Sequence, residues 1–250
     1  LITAQFAEDR AIIPAGFTVA QDLTRSIADL PGLEGEKKLP LLADVLQNGM
    51  AVAQADWVVY SNIDIAVMPN FYEGIMALGE EDFDAFSINR RGVSKKYLDA
   101  NKLPLMHTEL GQLHNGHDCM VFRRELFEKL DLGNVCLGIP HVGNALMYNL
   151  YAHSSRFRLC NDRHLTMHVG LQLVMNWGSK RLYHHNKREF LGVLKRLKPR
   201  LRIDNLPGAN MPFLKRHFVW LMNPTFHYPT MFSVDIRKPF RKSNKTLREN

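Results

Sequence analysis

Hydrophobic and polar positions alternate along the chain in blocks that predict strands and helices in turn. The stretch LITAQ predicts a short strand, and GFTVAQDL alternates as a second strand that ends near Asp22. Apolar residues then recur at helical spacing, at Leu41, Leu42, Val45, Leu46 and Met50. This spacing predicts an amphipathic helix, and Pro40 suits its first turn because that position needs no amide hydrogen.

The segment DWVVYSNIDIAV has the pattern of a strand that is covered on both faces. Residues 57–60 are continuously apolar and β-prone, and the run stops abruptly at Ser61 and Asn62. A lone carboxylate, Asp64, follows before the apolar residues resume. The next stretch, PNFYEGIMALG, predicts a helix with Gly79 as its C-terminal cap. An acid near the end of a buried strand calls for a chemical explanation.

The alternation continues through the next hundred residues. DAFSINRRGV predicts a strand, CMVFRRELFEKL a strand that runs into a helix, GNALMYNLYAHS a helix, and RLCNDRHLTMHVG two strands joined by a turn. Strands that alternate with helices predict an α/β fold, with a mostly parallel, Rossmann-like sheet flanked by helices.

The pattern changes near residue 180. Beyond it we predict a basic helix in KREFLGVLKRLK, followed by a stretch that six prolines interrupt. Residues 1–179 contain 15 Lys/Arg and 21 Asp/Glu, whereas residues 180–250 contain 17 and 4. We therefore predict an α/β domain over 1–179 and a basic helical and irregular extension over 180–250 that packs on it.

The positive charge of this extension has two interpretations. It can bind an anionic partner such as a phosphate group or a membrane surface, or it can be a solvated basic face. Nucleic acid is the weaker partner, since no zinc-finger or RNP-like pattern accompanies the charge. Peripheral membrane association through residues 180–250 and packing of the basic helix on the domain are the alternatives that follow.

Composition narrows the class of protein. Hydrophobic residues make up 46% and charged residues 23%, as in ordinary globular domains. No apolar stretch reaches the ~18 residues of a membrane-spanning helix. Cys119, Cys136 and Cys160 form no C-x-x-C pair, which favours buried, reduced thiols over disulfides or a zinc site. We expect a cytoplasmic location or one at a membrane surface, and the Golgi lumen if an anchor precedes Leu1.

The position of Asp64 suggests its chemistry. In open α/β sheets, ligands bind at the carboxyl ends of the strands, and Asp64 lies just past such an end. A carboxylate there can hold a divalent cation together with substrate phosphates, although it can also serve as a turn or helix-capping acid. Asn62 lies two residues earlier, so an extended chain presents both side chains to the same side.

The stretch YSNIDIAVMPNFYEGI resembles the segment around the D-x-D motif of GT-A glycosyltransferases, which use nucleotide sugars. In that family the acids of the motif hold Mn²⁺ or Mg²⁺ against the diphosphate of the donor. The motif here is Asn62-Ile63-Asp64, so the last acid is kept and an amide replaces the first. The resemblance implies a nucleotide-sugar site with Asn62 and Asp64, Mn²⁺ or Mg²⁺ as cofactor, and Asp64 as a metal ligand.

Further segments resemble the same family in order and spacing, over residues 1–175. FTVAQDL resembles the strand that meets the nucleotide base, which implies a contact from Asp22. EKKLPLLADVL resembles the next helix, where Lys38 would face the donor phosphates. FSINRRGV resembles the strand that brings Asn89 and Arg90 into the nucleotide-sugar site. LTMHVG resembles the segment with a late histidine near the metal, which implies that His168 is a ligand.

HNGHDCMVFRRELFEKL resembles the acceptor side of these enzymes. A general base must lie within hydrogen-bond reach of the acceptor hydroxyl, and a polar loop before a buried strand can present one, so Asp118 is the candidate base. That role applies if the reaction inverts the configuration of the sugar; if the configuration is retained, Asp118 holds the sugar instead. The alternative is a loop acid that pairs with a nearby arginine. His114 and His117 flank this acid as candidate acceptor contacts.

The resemblance implies transfer of a sugar from a nucleotide-diphosphate donor to a hydroxyl group of a glycan, a lipid-linked sugar or a protein. A sugar nucleotidyltransferase is the first alternative. Enzymes of that class also use a metal-binding acid, but LITAQFAEDRAIIPAG lacks their Gly-rich, basic loop after the first strand. The second alternative is a catalytically inactive GT-A-like binding module, because Asn62 replaces an acid of the motif.

Overall fold

The computed structural model describes residues 1–97, 99–161, 163–170, 179–223 and 225–237. These residues form two compact units. The first, which we call the N-terminal unit, contains Leu1–Asp56, Asp131–Leu146 and residues 179–196. The second, which we call the sheet unit, contains Trp57–Leu130 and the described parts of 147–174 and 197–250. This division does not coincide with residue 180, so the domains 1–179 and 180–250 stay a prediction.

Strands and helices alternate through most of the chain. The strands are β1 (Ile2–Thr3), β2 (Thr18–Val19), β3 (Trp57–Ser61), β4 (Ile65–Val67), β5 (Ala85–Val93), β6 (Gln112–Arg123), β7 (Phe157–Cys160) and β8 (Thr166–Val169). The α-helices are α1 (Leu42–Val52), α2 (Phe71–Glu80), α3 (Leu103–Met106), α4 (Val142–His153), α5 (Lys180–Leu197), α6 (Phe213–Met222) and α7 (Tyr228–Asp235). Short 3₁₀ helices occupy Ala7–Ile12, Ile27–Asp29, Lys95–Tyr97, Ala100–Lys102, Arg124–Lys129 and Ile203–Asn205.

The sheet unit is built on a mixed sheet. Within the described residues its strand order is β3-β6-β5-β8-β4, and β7 pairs with the first half of β5. β3, β5, β7 and β8 run in one direction, while β4 and β6 run in the opposite direction. The prediction of a mostly parallel α/β sheet flanked by helices is therefore confirmed. The reversed direction of β4 and β6 is a feature that the sequence pattern does not predict.

Helix α2 packs against this sheet through one apolar face. Phe71, Ile75 and Leu78 recur at intervals of four and three residues, and all three are buried. They share a core cluster with residues of β5 and β6: Phe86, Ile88, Cys119 and Val121. The helix continues to Glu80, so Gly79 is not its cap. A Cβ atom on Gly79 would lie 2.9 Å from the Trp57 ring, so glycine permits close packing there.

Strand β3 corrects the prediction that residues 57–60 are covered on both faces. It lies at the edge of the described sheet, and Val59 is 39% exposed while its neighbours are half-buried. The indole of Trp57 packs against the core cluster under α2. The guanidinium of Arg123 lies 4.1 Å from the centroid of the same indole. The apolar run therefore belongs to an edge strand whose Trp57 packs on the core and is covered by Arg123, and not to a strand between two layers.

The N-terminal unit has its own core. Of the predicted periodic positions, Leu41, Leu42, Leu46 and Met50 are buried, and Val45 is half-buried. The helix begins at Leu42, so Pro40 precedes it and does not lie in its first turn. The reason is that Leu41 is held in an extended conformation by an antiparallel bridge to Cys136.

Helix α5 is the predicted basic helix, and it buries its apolar side. Leu182 lies in a core cluster of the N-terminal unit with Ile27, Leu33, Leu41, Cys136 and Ile139. Asn186 is fully buried at the centre of the helix, and its side chain bonds both backbone groups of Cys136. The basic residues are exposed: Lys180, Arg181, Lys187, Arg188, Lys195 and Arg196.

Two predictions about the whole chain concern its cysteines and its hydropathy. The side chains of Cys119, Cys136 and Cys160 are all buried, as predicted. In the described ranges, no helix is both long enough and apolar enough to cross a membrane.

Candidate functional site

Asp64 and His168 meet at the rim of the sheet, although 104 residues separate them in sequence. β4 pairs antiparallel with β8, and its first residue, Ile65, lies opposite His168. Asp64 directly precedes β4, so its carboxylate reaches the imidazole, and Oδ2 lies 3.1 Å from Nε2. His168 is 3% exposed, whereas the Asp64 side chain is 55% exposed. The pair thus joins a buried imidazole to a carboxylate that solvent can reach.

The far nitrogen of His168 indicates where the protons lie. Nδ1 is 3.0 Å from the carbonyl oxygen of Gly170, which can only accept a hydrogen bond. Nδ1 therefore carries a hydrogen, and Nε2 of a neutral ring presents a lone pair to Asp64. Two acceptors at this distance repel each other unless a proton or a metal cation lies between them. Histidines that bind metals commonly donate their other N–H to a carbonyl in this way.

Gly170 supplies that carbonyl because its backbone conformation suits glycine. Its φ is +107°, a value that residues with a Cβ atom rarely adopt. Its amide donates to the Val93 carbonyl at 2.8 Å, which ties the end of β8 to the end of β5. The turn after β8 thereby fixes the orientation of the His168 ring.

Asn62, which follows β3, and Asp118 of β6 form a second polar pair. In the register of β3 with β6, Ser61 lies opposite Cys119, so the next residues along, Asn62 and Asp118, come together. Asn62 Nδ2 donates to Asp118 Oδ1 at 3.2 Å. The amide of the N-x-D motif thus has a carboxylate partner on β6.

Arg90 approaches the other oxygen of Asp118. Its Nη1 lies 2.8 Å from Oδ2, and both side chains are largely buried. That oxygen accepts no well-aligned hydrogen bond, so the attraction is that of an ion pair without a directed N–H. Arg91 points elsewhere and donates to the Leu110 carbonyl at 2.8 Å, as alternation along a strand requires. The structure therefore brings Arg90, and not Arg91, to Asp118.

A bulge in β6 lies opposite Arg90. The register of β5 with β6 shifts between Ile88 and Asn89 and again between Asn89 and Arg91, and at the second shift residues 114–116 of β6 face Arg90 alone. Bulges re-aim side chains and are common beside functional sites. Within this one, the Gly116 amide donates to His114 Nδ1 at 2.8 Å. Burial and the charge of Arg90 lower the pKa of His114, which favours the neutral ring, with Nδ1 as the acceptor and the hydrogen on Nε2.

The side chains of His117 in β6 and Asn89 in β5 each contact the neighbouring strand. His117 Nδ1 lies 3.1 Å from Ser87 Oγ, and burial lowers the pKa of His117 to about 4. Asn89 is buried, and its Nδ2 donates to the His114 carbonyl at 3.4 Å. Because both side chains have protein partners, contacts of His117 with an acceptor and of Asn89 with a donor stay predictions.

The other two predicted donor contacts belong to the N-terminal unit. Asp22 accepts hydrogen bonds from Arg10 Nε at 2.8 Å and from Gln5 Nε2 at 2.9 Å, and these bonds lower its pKa. Lys38 forms an exposed ion pair with Glu8. Each of the two has a partner within its own unit, and their roles toward a donor stay predictions.

Three residues that contribute to the site are not predicted from the sequence. Gly170 orients His168, and Thr166 Oγ1 donates to the Asn89 carbonyl at 2.9 Å, which joins β8 to β5. Burial and the nearby charge of Asp118 raise the pKa of Tyr60, so its phenol stays neutral. A glycine right after a strand is a sequence signal that could have indicated Gly170. Thr166 and Tyr60 carry no such signal, because their partners are distant in sequence.

Asp64 and His168 fit a divalent metal ion as a pair of ligands. Ligand atoms about 2.1 Å from a metal and at right angles lie about 3 Å apart, close to the observed 3.1 Å. In the part of the chain that the structure describes, no group of three or more His, Cys, Asp or Glu side chains forms a metal site. Two protein ligands suffice where substrate phosphates and water complete the set, as is usual for Mg²⁺.

Comparison with known proteins finds no matching family model and no matching curated protein. Among solved structures, S. aureus TarS 1–349 in complex with UDP-GlcNAc aligns with a TM-score of 0.45 and 12% identity, covering 87% of this chain and 63% of that one. The same fragment with UDP aligns with a TM-score of 0.39 and 11% identity, covering 68% of this chain and 55% of that one. The fragment alone aligns with a TM-score of 0.43 and 14% identity, covering 82% of this chain and 55% of that one. The chain thus spans less than two thirds of the TarS fragment, and a likeness this weak carries no argument about function.

Proposed function

We propose that the chain is a nucleotide-sugar-dependent glycosyltransferase, which transfers a sugar from a nucleotide-diphosphate donor to a hydroxyl group of a glycan, a lipid-linked sugar or a protein. One observation carries the proposal: the Asp64–His168 pair and the Asn62–Asp118–Arg90 group involve the residue that follows β3 and the C-terminal halves of β5 and β8, toward the rim where these strands end. Ligands of open α/β sheets bind at such rims. The rim offers two metal ligands, a guanidinium for phosphate and a carboxylate for a hydroxyl group.

Asp64 and His168 are the proposed ligands of Mn²⁺ or Mg²⁺. When bound, the ion supplies electrostatic stabilisation to the leaving diphosphate. His168 is buried and its ring is oriented by the Gly170 carbonyl, so it needs little reorganisation to act. Asp64 is half exposed and can meet a donor that arrives from solvent. Because Asn62 brings no charge, a neutral residue at position 64 would leave the N-x-D motif without a charged ligand.

Arg90 is the proposed contact to the donor diphosphate. A guanidinium matches the geometry of phosphate oxygens with paired N–H donors. Its ion pair with Asp118 lacks a directed hydrogen bond, so a diphosphate can compete for it. Release of Asp118 Oδ2 then leaves a carboxylate oxygen able to accept the proton of an acceptor hydroxyl. In a retaining reaction the same oxygen would hold the acceptor sugar.

Nucleotide release from UDP- and GDP-sugars in the presence of a panel of hydroxyl acceptors, with and without Mn²⁺, tests this function. We expect the wild type to release nucleotide from one donor class in a metal-dependent manner. Asp64→Asn should lower that rate about a hundredfold or more, the scale seen when a stabilising group at the reacting centre is lost. Asp56→Asn changes an exposed acid at the other end of β3 and serves as the matched control. Full activity in Asp64→Asn would contradict the proposal.

A binding module without turnover is the second candidate. It is favoured because both carboxylate oxygens of Asp118 already have protein neighbours. Asn62 and Arg90 engage its two oxygens, so the base is free only if the ion pair opens. If the pair stays closed, the rim binds a nucleotide sugar and transfers nothing. Donor-dependent stabilisation without nucleotide release, even with a panel of hydroxyl acceptors, would identify this case.

A further inference from the structure

Helix α6 presents an apolar stripe to solvent. Its members occur at i, i+4, i+7 and i+8 and are between 63% and 81% exposed: Leu214, Phe218, Leu221 and Met222. We call these four residues the α6 stripe. Their spacing places them on one face of the helix. Phe213 before the stripe and Phe232 and Ile236 of the α7 region are exposed as well. Large exposed apolar side chains in one cluster indicate a contact surface.

The opposite face of α6 is fixed in the interior of the sheet unit. Trp220 is fully buried, and its Nε1 donates to the Pro207 carbonyl at 2.7 Å. Arg216 donates two hydrogen bonds to the buried carboxylate of Asp235, at 2.7 and 2.8 Å, and His217 Nε2 lies 2.9 Å from the same group. Rotation of α6 to hide the stripe would leave Asp235 buried without its cation, which is strongly unfavourable. The exposure of the stripe therefore belongs to the folded unit.

The chain that carries the stripe is strongly basic. From residue 197 to the end it contains eleven Lys/Arg and three Asp/Glu. Within its described part, Asp235 is buried in an ion pair and Asp204 is the exposed acid. Lys215 in α6 and Arg237 after α7 are exposed beside apolar members of the surface. A second copy of the chain would bring these positive charges together, whereas an anionic partner complements them.

We propose that the α6 stripe binds the surface of a bilayer that contains anionic lipids. Phenylalanine, leucine and methionine side chains gain free energy by leaving water for acyl chains, and neighbouring bases attract lipid phosphates. Nucleic acid offers phosphates but no apolar phase, so it gives Leu214 and Leu221 no partner. The contact lies on α6 and not on the basic helix α5, whose apolar side is buried. The proposal does not depend on the glycosyltransferase function.

Co-sedimentation of the full chain with phosphatidylcholine vesicles, with and without phosphatidylglycerol, tests the proposal. We expect binding to the anionic vesicles, weaker binding to the neutral ones, and partial loss as salt screens the charges. The triple variant Leu214→Ser, Phe218→Ser, Leu221→Ser should weaken binding to anionic vesicles at least tenfold. Lys215→Glu with Arg237→Glu should weaken it as well and should reduce the dependence on salt.

The matched control replaces three equally exposed apolar residues elsewhere: Ile12→Ser, Leu105→Ser and Leu110→Ser. It should bind vesicles as the wild type does, and circular dichroism should show that both triple variants are folded. Wild-type protein that ignores anionic vesicles, or a folded stripe variant that binds like the wild type, would overturn the proposal. A dimer in sedimentation equilibrium that the stripe variant dissociates would assign the surface to a second copy and overturn it too.

Discussion

At the scale of single residues, the orientation of His168 depends on a backbone position that only glycine fits well. The Gly170 carbonyl accepts from Nδ1 and leaves Nε2 facing Asp64. The φ of +107° that aims this carbonyl is strained for any residue with a Cβ atom. Gly170 is therefore a positioning residue, since it acts on the candidate site through His168.

Gly170→Ala should cost about 1–2 kcal/mol of unfolding free energy and should also weaken Mn²⁺-dependent binding of a donor. Urea denaturation measures the first effect, and the thermal shift caused by donor and Mn²⁺ measures the second. Gly138→Ala is the matched control, because Gly138 has a φ of +77° and no atom would lie within 4 Å of an added Cβ atom. It should lose similar stability and keep the donor response. Equal donor responses in both variants would remove Gly170 from the site.

His117 makes stability depend on pH. Its pKa in the fold is about 4, below the 6.5 of the free side chain, because burial disfavours the charged ring. Between these values the unfolded chain binds the proton and the folded chain does not. Its stability contribution is therefore complete above pH 6.5 and is lost as the pH falls toward 4. The full effect is on the order of 3 kcal/mol.

His117→Gln should flatten the decline in unfolding free energy between pH 7 and pH 5, as urea titrations at both values would show. Some decline should persist, because burial also lowers the pKa of His114, His141 and His164. His184→Gln, at an exposed position, should leave the wild-type slope unchanged. A slope in His117→Gln as steep as in the wild type would refute the assignment.

The sequence could indicate some site residues and not others for a physical reason. Asp64 and His168 follow from the resemblance of short motifs, and each motif is local. The engagement of Asp118 by Asn62 and Arg90 depends on the registers of β3 and β5 with β6, which no local pattern encodes. For the same reason the buried setting of Asn89 and the ion pair of Lys38 could not be foreseen.

At the scale of elements, a buried asparagine in each unit bonds the backbone of neighbouring segments. Asn186 of α5 bonds the backbone of Cys136 in both directions and donates to the Pro140 carbonyl at 3.0 Å. Asn205 likewise accepts from the Phe157 amide and donates to carbonyls before β7. Buried backbone groups need such partners, because they have lost water.

Asn186→Ala should lower the unfolding free energy by about 2–4 kcal/mol, because it leaves several buried backbone groups without partners. Chemical denaturation of the purified variant measures the loss. Asn210→Ala, at an exposed position, should change stability by no more than about 0.5 kcal/mol. A loss below 1 kcal/mol for Asn186→Ala would show that water or rearrangement satisfies these groups.

Gly79 shows how packing overrides helix propensity. Alanine in a helix is favoured over glycine by about 1 kcal/mol, but a Cβ atom on Gly79 would lie 2.9 Å from the rigid Trp57 ring. Gly79→Ala should therefore destabilise the protein by about 1 kcal/mol or more, as thermal unfolding would show. Gly192→Ala in α5, where the nearest atom is a flexible arginine nitrogen at 3.4 Å, should stabilise it instead. Stabilisation by both variants would contradict this account of Gly79.

Element types were largely predictable, and element surroundings were not. Helical spacing locates α1, α2 and α5 because a helix is stabilised by contacts between near neighbours in sequence. The edge position of β3 and the direction of β4 and β6 depend on partners far along the chain. An apolar run such as residues 57–60 is compatible with either a central or an edge strand once an arginine covers one face.

At the scale of the whole molecule, each unit is formed by segments that are not continuous in sequence. The N-terminal unit takes residues from three separate segments, and the sheet unit does the same. The change in composition near residue 180 does not coincide with a boundary between the units, and the domains 1–179 and 180–250 stay a prediction. The proposed site draws on the same property, because its residues come from the ends of strands that are distant in sequence. Folding of the sheet unit forms both the Asp64–His168 pair and the Asn62–Asp118 pair.

The proposed site depends on Asp64 and His168 holding a metal ion against the diphosphate of a nucleotide sugar. The most direct measurement is the melting temperature of the wild type, Asp64→Asn and the Asp56→Asn control with UDP- and GDP-sugars, each with and without Mn²⁺. A donor at a hundred times its Kd adds about 2.7 kcal/mol, or roughly 5–10 °C for a domain of this size. We predict this shift for one donor class in the wild type and in Asp56→Asn, only with Mn²⁺, and none in Asp64→Asn. Equal shifts in all three proteins, or none in the wild type with any donor, would contradict the account.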